Sequence, residues 1–410
     1  MIHKLKPFSS LKFRDFRFYY SGTLASEIGT QMQFVAVNWQ VYELTRSPAA
    51  LGFIGLSAFL AIIIFALPAG LVSDKFNRKK VLIFSQIIPC VLAFILALAT
   101  FFNIVTPWMI YVLVFLIYTA HMFQAPSRQS IIPQLVPKEN YINAFSLQSM
   151  SRQISLVIGP AIGGFLIEYF GVGSIYLINA LSFILYISLL LPIHIKPHEK
   201  LNEVSYSFKS LWEGVRFVMS NQILLYTMLL DFLANFFSAA TTLLPIFAKD
   251  IFAIGPKGLG LLYAAPAFGS TVAGLFMATL GTIRNQGKII LVAVAMYGLA
   301  TLLFGLTKSF YLAIIFLSLV GVSDMISTVL RNTIRQMITP DHLRGRMVAV
   351  NMIFVQGGPM IGEAESGFVA QFMGAPFAVA SGGLITIFVT ALIALKVPKL
   401  RKYHNHETII

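Results

Sequence analysis

Several of the sixteen carboxylates in this 410-residue chain sit inside long apolar stretches. A carboxyl group there is suited to reversible protonation, because burial disfavours its charged form. The first apolar stretch carries Glu27, Gln31 and Asn38 at i, i+4 and i+11. Another carries Asp231, Asn235, Ser238 and Thr242 at i, i+4, i+7 and i+11. At about 3.6 residues per turn, each set forms one stripe along a helix. Two further stretches carry His121, Gln124 and Arg128, and Asp324, Ser327, Arg331 and Arg335. A late stretch adds Gln356 and Glu363 on one face, with Glu365 rotated about 200° from Glu363. The proton-coupling or substrate path is therefore expected along Glu27, Gln31, Asn38, His121, Asp231, Asn235, Asp324 and Glu363. Hydrogen bonding between helices explains Gln31, Asn38, Ser238, Thr242 and Ser327 at least as well as transport does. His121 fits a hydrogen-bond partner as well as a proton carrier. Arg331 and Arg335 are expected to snorkel to a membrane surface.

These side chains need long helices to position them, and the composition supplies the helices. With 57% hydrophobic and 11% charged residues, no water-soluble fold could cover the apolar surface, so the chain is a polytopic all-α membrane protein. About 20 apolar residues cross a bilayer, and twelve such runs are readable: 16–42, 49–72, 81–104, 107–129, 141–169, 174–193, 222–247, 259–280, 289–306, 310–330, 347–373 and 376–397. Lys and Arg gather in alternate loops, and the opposite loops hold only Arg46, Lys249, Lys257 and Lys308. Positive charge stays inside, which puts both termini in the cytoplasm. The first apolar run is too long for a signal peptide and is expected to remain in place. The net charge of +14 lies between spans and not on one soluble face, which argues against nucleic acid as a partner. The lone Cys90 carries no internal disulfide.

The polar segment 196–220 divides the chain into six-helix halves, 1–195 and 221–410, and serves as a cytoplasmic linker with an amphipathic helix around Trp212–Phe217. The halves resemble each other. Arg128-Gln129-Ser130-Ile131 and Arg331-Asn332-Thr333-Ile334 are 203 apart, and Glu27 and Asp231 are 204 apart. Duplicated six-helix units in one orientation are the parallel-repeat plan of transporters that bind substrate near the midplane.

Two motifs give the plan a family. Gly70-x-x-x-Asp74-Lys75-x-x-Arg78-Lys79-Lys80 lies between the second and third spans, and Ser155, Gly159, Pro160, Gly163 and Gly164 lie in the fifth. The first resembles the signature loop of the major facilitator superfamily, and the second the fifth-helix signature of its proton-driven antiporters. The segments 13–48 and 340–346 resemble the enterobactin-exporter and macrolide-efflux branch. The fourth-helix Arg motif of many antiporters is not visible near His121, and Arg128 lies close to the end of its span. The second-half copy of the loop, 281–288, lacks an acidic residue.

The resemblance implies the major facilitator fold in a bacterial inner membrane. The function it implies is export of a small amphipathic organic molecule, a siderophore or drug, by proton antiport with alternating access. The alternatives are a lysophospholipid flippase and a facilitator without antiport. A monomer without cofactor or metal is expected. No H-E-x-x-H, G-x-S-x-G or phosphate-binding Gly-Lys loop is present, which disfavours an enzyme or an ATP-driven pump. In the loop, Gly70 would allow close approach, Asp74 would latch onto the start of the eleventh helix near Gly345 and Arg346, and Arg78 would pair within the first bundle.

Overall fold

A computed structural model of the chain describes residues 8–194, 208–281, 283–340 and 343–403. It is helical throughout, with no strand among the described residues. The long helices are α1 (Arg14–Thr45), α2 (Pro48–Lys75), α3 (Arg78–Phe101), α4 (Pro107–Leu135) and α5 (Tyr141–Leu190). The linker contributes α6 (Phe208–Ser220), and α7 (Gln222–Phe237) follows it at once. A single short turn, α8 (Leu244–Ile246), precedes α9 (Gly255–Thr279), α10 (Gln286–Leu306), α11 (Phe310–Ile338), α12 (Arg344–Met373), α13 (Ala375–Lys396) and the short α14 (Pro398–Arg401). Nine of the described segments are long and apolar enough to cross a membrane. Helices α1 and α12, of 32 and 30 residues, carry the polar stripes that lower their hydropathy.

Local sequence sets several helix starts. Asn77 accepts from the Lys79 and Lys80 amides at 3.0 and 3.3 Å and so caps α3. Asn221 caps α7 in the same way. Thr106 caps α4 with Pro107 behind it, where the missing amide costs no hydrogen bond.

One break falls where the sequence reading put it, and one boundary differs. Within α5 the runs 141–169 and 174–193 are two helices that meet at Gly171, whose backbone (φ 76°, ψ 170°) is not helical. That conformation is open to glycine and strained for other residues. The seventh run is not one helix to 247. It stops at Phe237 and passes through a 3₁₀ turn (Ala240–Leu243), α8 and a π-turn (Phe247–Ile251). Pro245 lacks the amide an uninterrupted helix would need. Ser238 and Thr242 therefore leave the stripe of Asp231 and Asn235, and the Ser238 hydroxyl hydrogen-bonds that of Thr386 at 2.8 Å.

The chain forms two compact units. One comprises Met1–Thr45, Ser57–Val204 and Ile254–Ala264, and the other Arg46–Leu56, Ser205–Ala253 and Ala265–Ile410. Each takes in a short stretch from the opposite half. In the first unit α1 lies along α5, tied by Asn179 Nδ2 donating to Gln33 Oε1 at 2.6 Å and Tyr176 OH to Gln40 Oε1 at 2.7 Å. The fifth-span motif is a packing surface. A Cβ on Gly159 would lie 2.5 Å from the Gln31 Cβ, one on Gly163 3.0 Å from the Met32 Cα, and one on Gly164 2.8 Å from the Gly260 Cα. Gly164→Val should therefore force α5 off α9, at about 1–3 kcal/mol for overpacking. Thermal unfolding in detergent checks this; a midpoint equal to wild type would show that the contact is not needed.

Candidate functional site

In the first unit, Glu27 of α1 meets Arg128 of α4. Arg128 Nη2 is 2.5 Å from Glu27 Oε1, and the Ser151 hydroxyl of α5 donates to Oε2 at 3.0 Å. Both carboxylate oxygens are thus engaged by donors from separate helices. The pair borders a cavity of about 230 Å³ lined by Ser26, Thr30, Gln31, His121, Met122, Gln124, Ala125 and Phe183 as well. The ion-paired side chains are 17% and 18% exposed, within reach of solvent and of any ligand in the cavity. The lining mixes hydrogen-bonding groups with Met122 and Phe183, a surface suited to an amphipathic molecule. The Tyr118 ring lies 6.0 Å from His121.

In the second unit, Asp231 of α7 meets two arginines of α11. Arg331 Nη2 is 2.9 Å from Oδ1 and Arg335 Nη2 is 3.5 Å from Oδ2. Asn235 Nδ2 donates to Asp231 Oδ1 at 3.0 Å, and Arg335 also donates to the Thr227 carbonyl at 3.1 Å. Asp324, half-exposed, is 3.7 Å from Arg331 Nη2. A void here of about 10 Å³ is bordered by Asn235, Ser323, Asp324, Ser327 and Arg331 among others, room for roughly one water.

Arg331 and Arg335 do not snorkel: their side chains are 2% and 3% exposed. Asp231 lies across from them on α7, and its charge compensates for their desolvation. Arg128 is likewise an ion-pair partner and not a residue at the fringe of its helix. Repeat-related carboxylates, Glu27 and Asp231, thus pair with repeat-related arginines, Arg128 and Arg331. The copies have diverged: the first faces a cavity, and the second is closed by Arg335.

The remaining candidates scatter. Gln31, His121 and Gln124 join Glu27 at the cavity. Asn38 is buried elsewhere on α1 and donates to the Phe34 carbonyl one turn back at 2.8 Å. Glu363 packs on α2, where a Cβ on Gly55 would come within 2.5 Å of its Oε2. Ser366 donates to Glu365 at 3.4 Å. Arg78 Nη1 donates to the Ser130 carbonyl at 3.3 Å. Gly70 and Asp74 lie in α2, with side-chain surroundings outside the described residues. Arg346 pairs with Glu213 of the linker helix. Ser151 had no sequence signal, because nothing in its spacing marks it as a partner of Glu27.

Among known proteins, the family described as transmembrane secretion effector matches residues 5–409. The enterobactin exporter EntS of Shigella boydii serotype 18 is 27% identical over 398 residues, covering 95% of this chain and 93% of that one. EntS of Escherichia coli O157:H7 matches to the same extent. The nucleoside transporter NupG superposes with a TM-score of 0.74 at 15% identity, over 95% of this chain and 99% of that one. A bacterial homologue of the iron transporter ferroportin superposes with 0.69 at 16% identity, over 95% and 99%. The chain belongs to the transmembrane secretion effector family of the major facilitator superfamily, and its fold is that superfamily's membrane-spanning helical fold.

Proposed function

We propose that the chain exports a small amphipathic organic molecule, a siderophore or drug, across the bacterial inner membrane in exchange for protons, with both termini cytoplasmic and Glu27 as the proton carrier. The observation that carries this reading is the asymmetry of the duplicated ion pair. Glu27 and Arg128 border a cavity large enough for part of an organic ligand, while Asp231 is locked between two buried guanidinium groups.

Ionised Glu27 is held by Arg128 and Ser151. A proton on Glu27 removes the charge that compensates Arg128, and an unpaired charge inside a bundle is costly. The protonated bundle is therefore driven toward a conformation in which Arg128 finds another partner or water. The proton shifts the equilibrium by its differential affinity for the two states, which is the thermodynamic content of alternating access. Gln31, His121 and Gln124 offer hydrogen bonds to the ligand, and Met122 and Phe183 offer apolar contact.

The test uses the purified protein in liposomes with enterobactin, the ligand named for the relatives, and a cationic dye as second probe. An imposed pH gradient should accelerate transport of at least one of them about tenfold or more, and a protonophore should abolish the acceleration. Transport of one or both probes with neither accelerated by the gradient would identify a facilitator and overturn the exchange.

A further inference from the structure

Below Glu27, toward the start of α1, the first unit contains a set of polar atoms that no described residue satisfies. The hydroxyls of Tyr19, Thr23 and Tyr186 and the Nε of Arg128 are buried without a hydrogen-bond partner. Tyr19, Thr23 and Glu27 recur every four residues, so they share one face of α1 across about 12 Å. Tyr186 reaches that face because residue 22 is glycine; a Cβ there would sit 2.5 Å from the Tyr186 ring. The Tyr19 and Tyr186 rings meet edge-on at 6.3 Å. Arg128 lies within electrostatic reach of both phenols, and the Thr23 and Tyr186 hydroxyls lie near each other without hydrogen-bonding geometry.

A buried hydroxyl left unpaired costs about 1–3 kcal/mol, and three beside an unpaired guanidinium nitrogen are a strong reason for bound water. We infer that Tyr19, Thr23, Tyr186 and Arg128 Nε hold internal water, and that this hydrated column relays protons between Glu27 and the end of the bundle where α1 begins. The relay function rests on the proposed proton exchange; the hydration does not. Each hop conserves protons: a hydroxyl accepts one on an oxygen lone pair while releasing its own to the next oxygen, and the column is unchanged after a reset of hydrogen-bond directions. The groups facing Glu27 are Tyr20 on its own helix, Arg128 and His121 on α4, and Ser151 and Tyr186 on α5. The Tyr19 and Tyr186 rings themselves belong to an apolar cluster with Phe16, Leu82, Ile131 and Leu190, which surrounds this part of the column. That apolar surround keeps the column from leaking protons while this conformation lasts.

The structure supplies an internal control. Tyr176 is 0% exposed, as is Tyr186, and Tyr19 is 1%, but the Tyr176 hydroxyl is already bonded to Gln40. A short X-ray pulse on the full-length protein in liposomes makes hydroxyl radicals from bound water, and these oxidise adjacent side chains. Tyr19 and Tyr186 should be oxidised about tenfold faster than Tyr176, the contrast expected between hydrated and dry sites. Equal rates for all three would overturn the hydration. Tyr19→Phe and Tyr186→Phe should each slow gradient-driven transport about tenfold while leaving substrate exchange without a gradient intact. Driven transport at the wild-type rate in both would overturn the relay even where Glu27→Gln shows that coupling itself is real. If Glu27→Gln leaves driven transport unchanged, the exchange mechanism and the relay fail together, and the oxidation rates still decide the water.

Discussion

Asp231→Leu is expected to cost the second unit at least about 3–5 kcal/mol, the usual result of stripping the partner from a buried charge. Among the described residues, Arg331 and Arg335 would then be left with Asp324 as the nearby carboxylate, 3.7 Å from Arg331. Both guanidinium groups are almost wholly inside the bundle, so water cannot replace the lost charge. The expected readout is a much lower thermal midpoint in detergent and little folded protein in the membrane. Adding Arg331→Met and Arg335→Met to Asp231→Leu should restore much of the loss, because a buried ionic cluster exchanged whole for apolar side chains is often neutral. Asp231→Leu with a wild-type midpoint would show that the cluster does not hold this unit together.

The second large effect concerns transport. Glu27→Gln keeps a hydrogen-bond acceptor opposite Arg128 and Ser151 but cannot exchange a proton. Gradient-driven efflux should fall by about 10²-fold, the low end of what a positioned proton-transfer group contributes. Substrate exchange without a gradient should persist, because it requires no net proton movement. The loss of stability should be smaller than for Asp231→Leu, since the Glu27–Arg128 pair is partly exposed and water can reach it. Parallel assays of driven efflux and exchange in liposomes separate the two; loss of both together would mean that Glu27 is needed for folding or substrate binding and not for coupling.

How much of this was legible in the sequence follows from what periodicity encodes. The spacing of Glu27 and Gln31 placed them on one face, and both line the cavity. The 203- and 204-residue offsets already related Glu27 to Asp231 and Arg128 to Arg331. That these four form two pairs was not readable, because an offset says which residues are equivalent and not which helices touch. Arg331 and Arg335 misled for a physical reason. A long cationic side chain near a helix end snorkels by default, and only a carboxylate on a neighbouring helix reverses that. Ser238 and Thr242 continued the seventh stripe on paper, but the helix that would have aligned them ends at Phe237. The fifth-span glycines were readable as a close-packing surface, since small residues at four-residue spacing admit a neighbouring backbone; which neighbour each admits, Gln31 for Gly159 or Gly260 for Gly164, was not. The unpaired hydroxyls of Tyr19 and Thr23 were hidden in plain spacing, one and two turns before Glu27, because tyrosine and threonine in a span usually find partners.

The central claim is that a proton on Glu27, by releasing Arg128, moves the transporter between its conformations. Spin labels at Lys80→Cys and Lys288→Cys, one exposed site in each unit, in a protein carrying Cys90→Ser, report the distance between the units by pulsed electron resonance. The wild-type distance distribution should shift between alkaline and acidic pH, and Glu27→Gln should show the acidic distribution at both. A Glu27→Gln protein that still shifts with pH as the wild type does would contradict the claim.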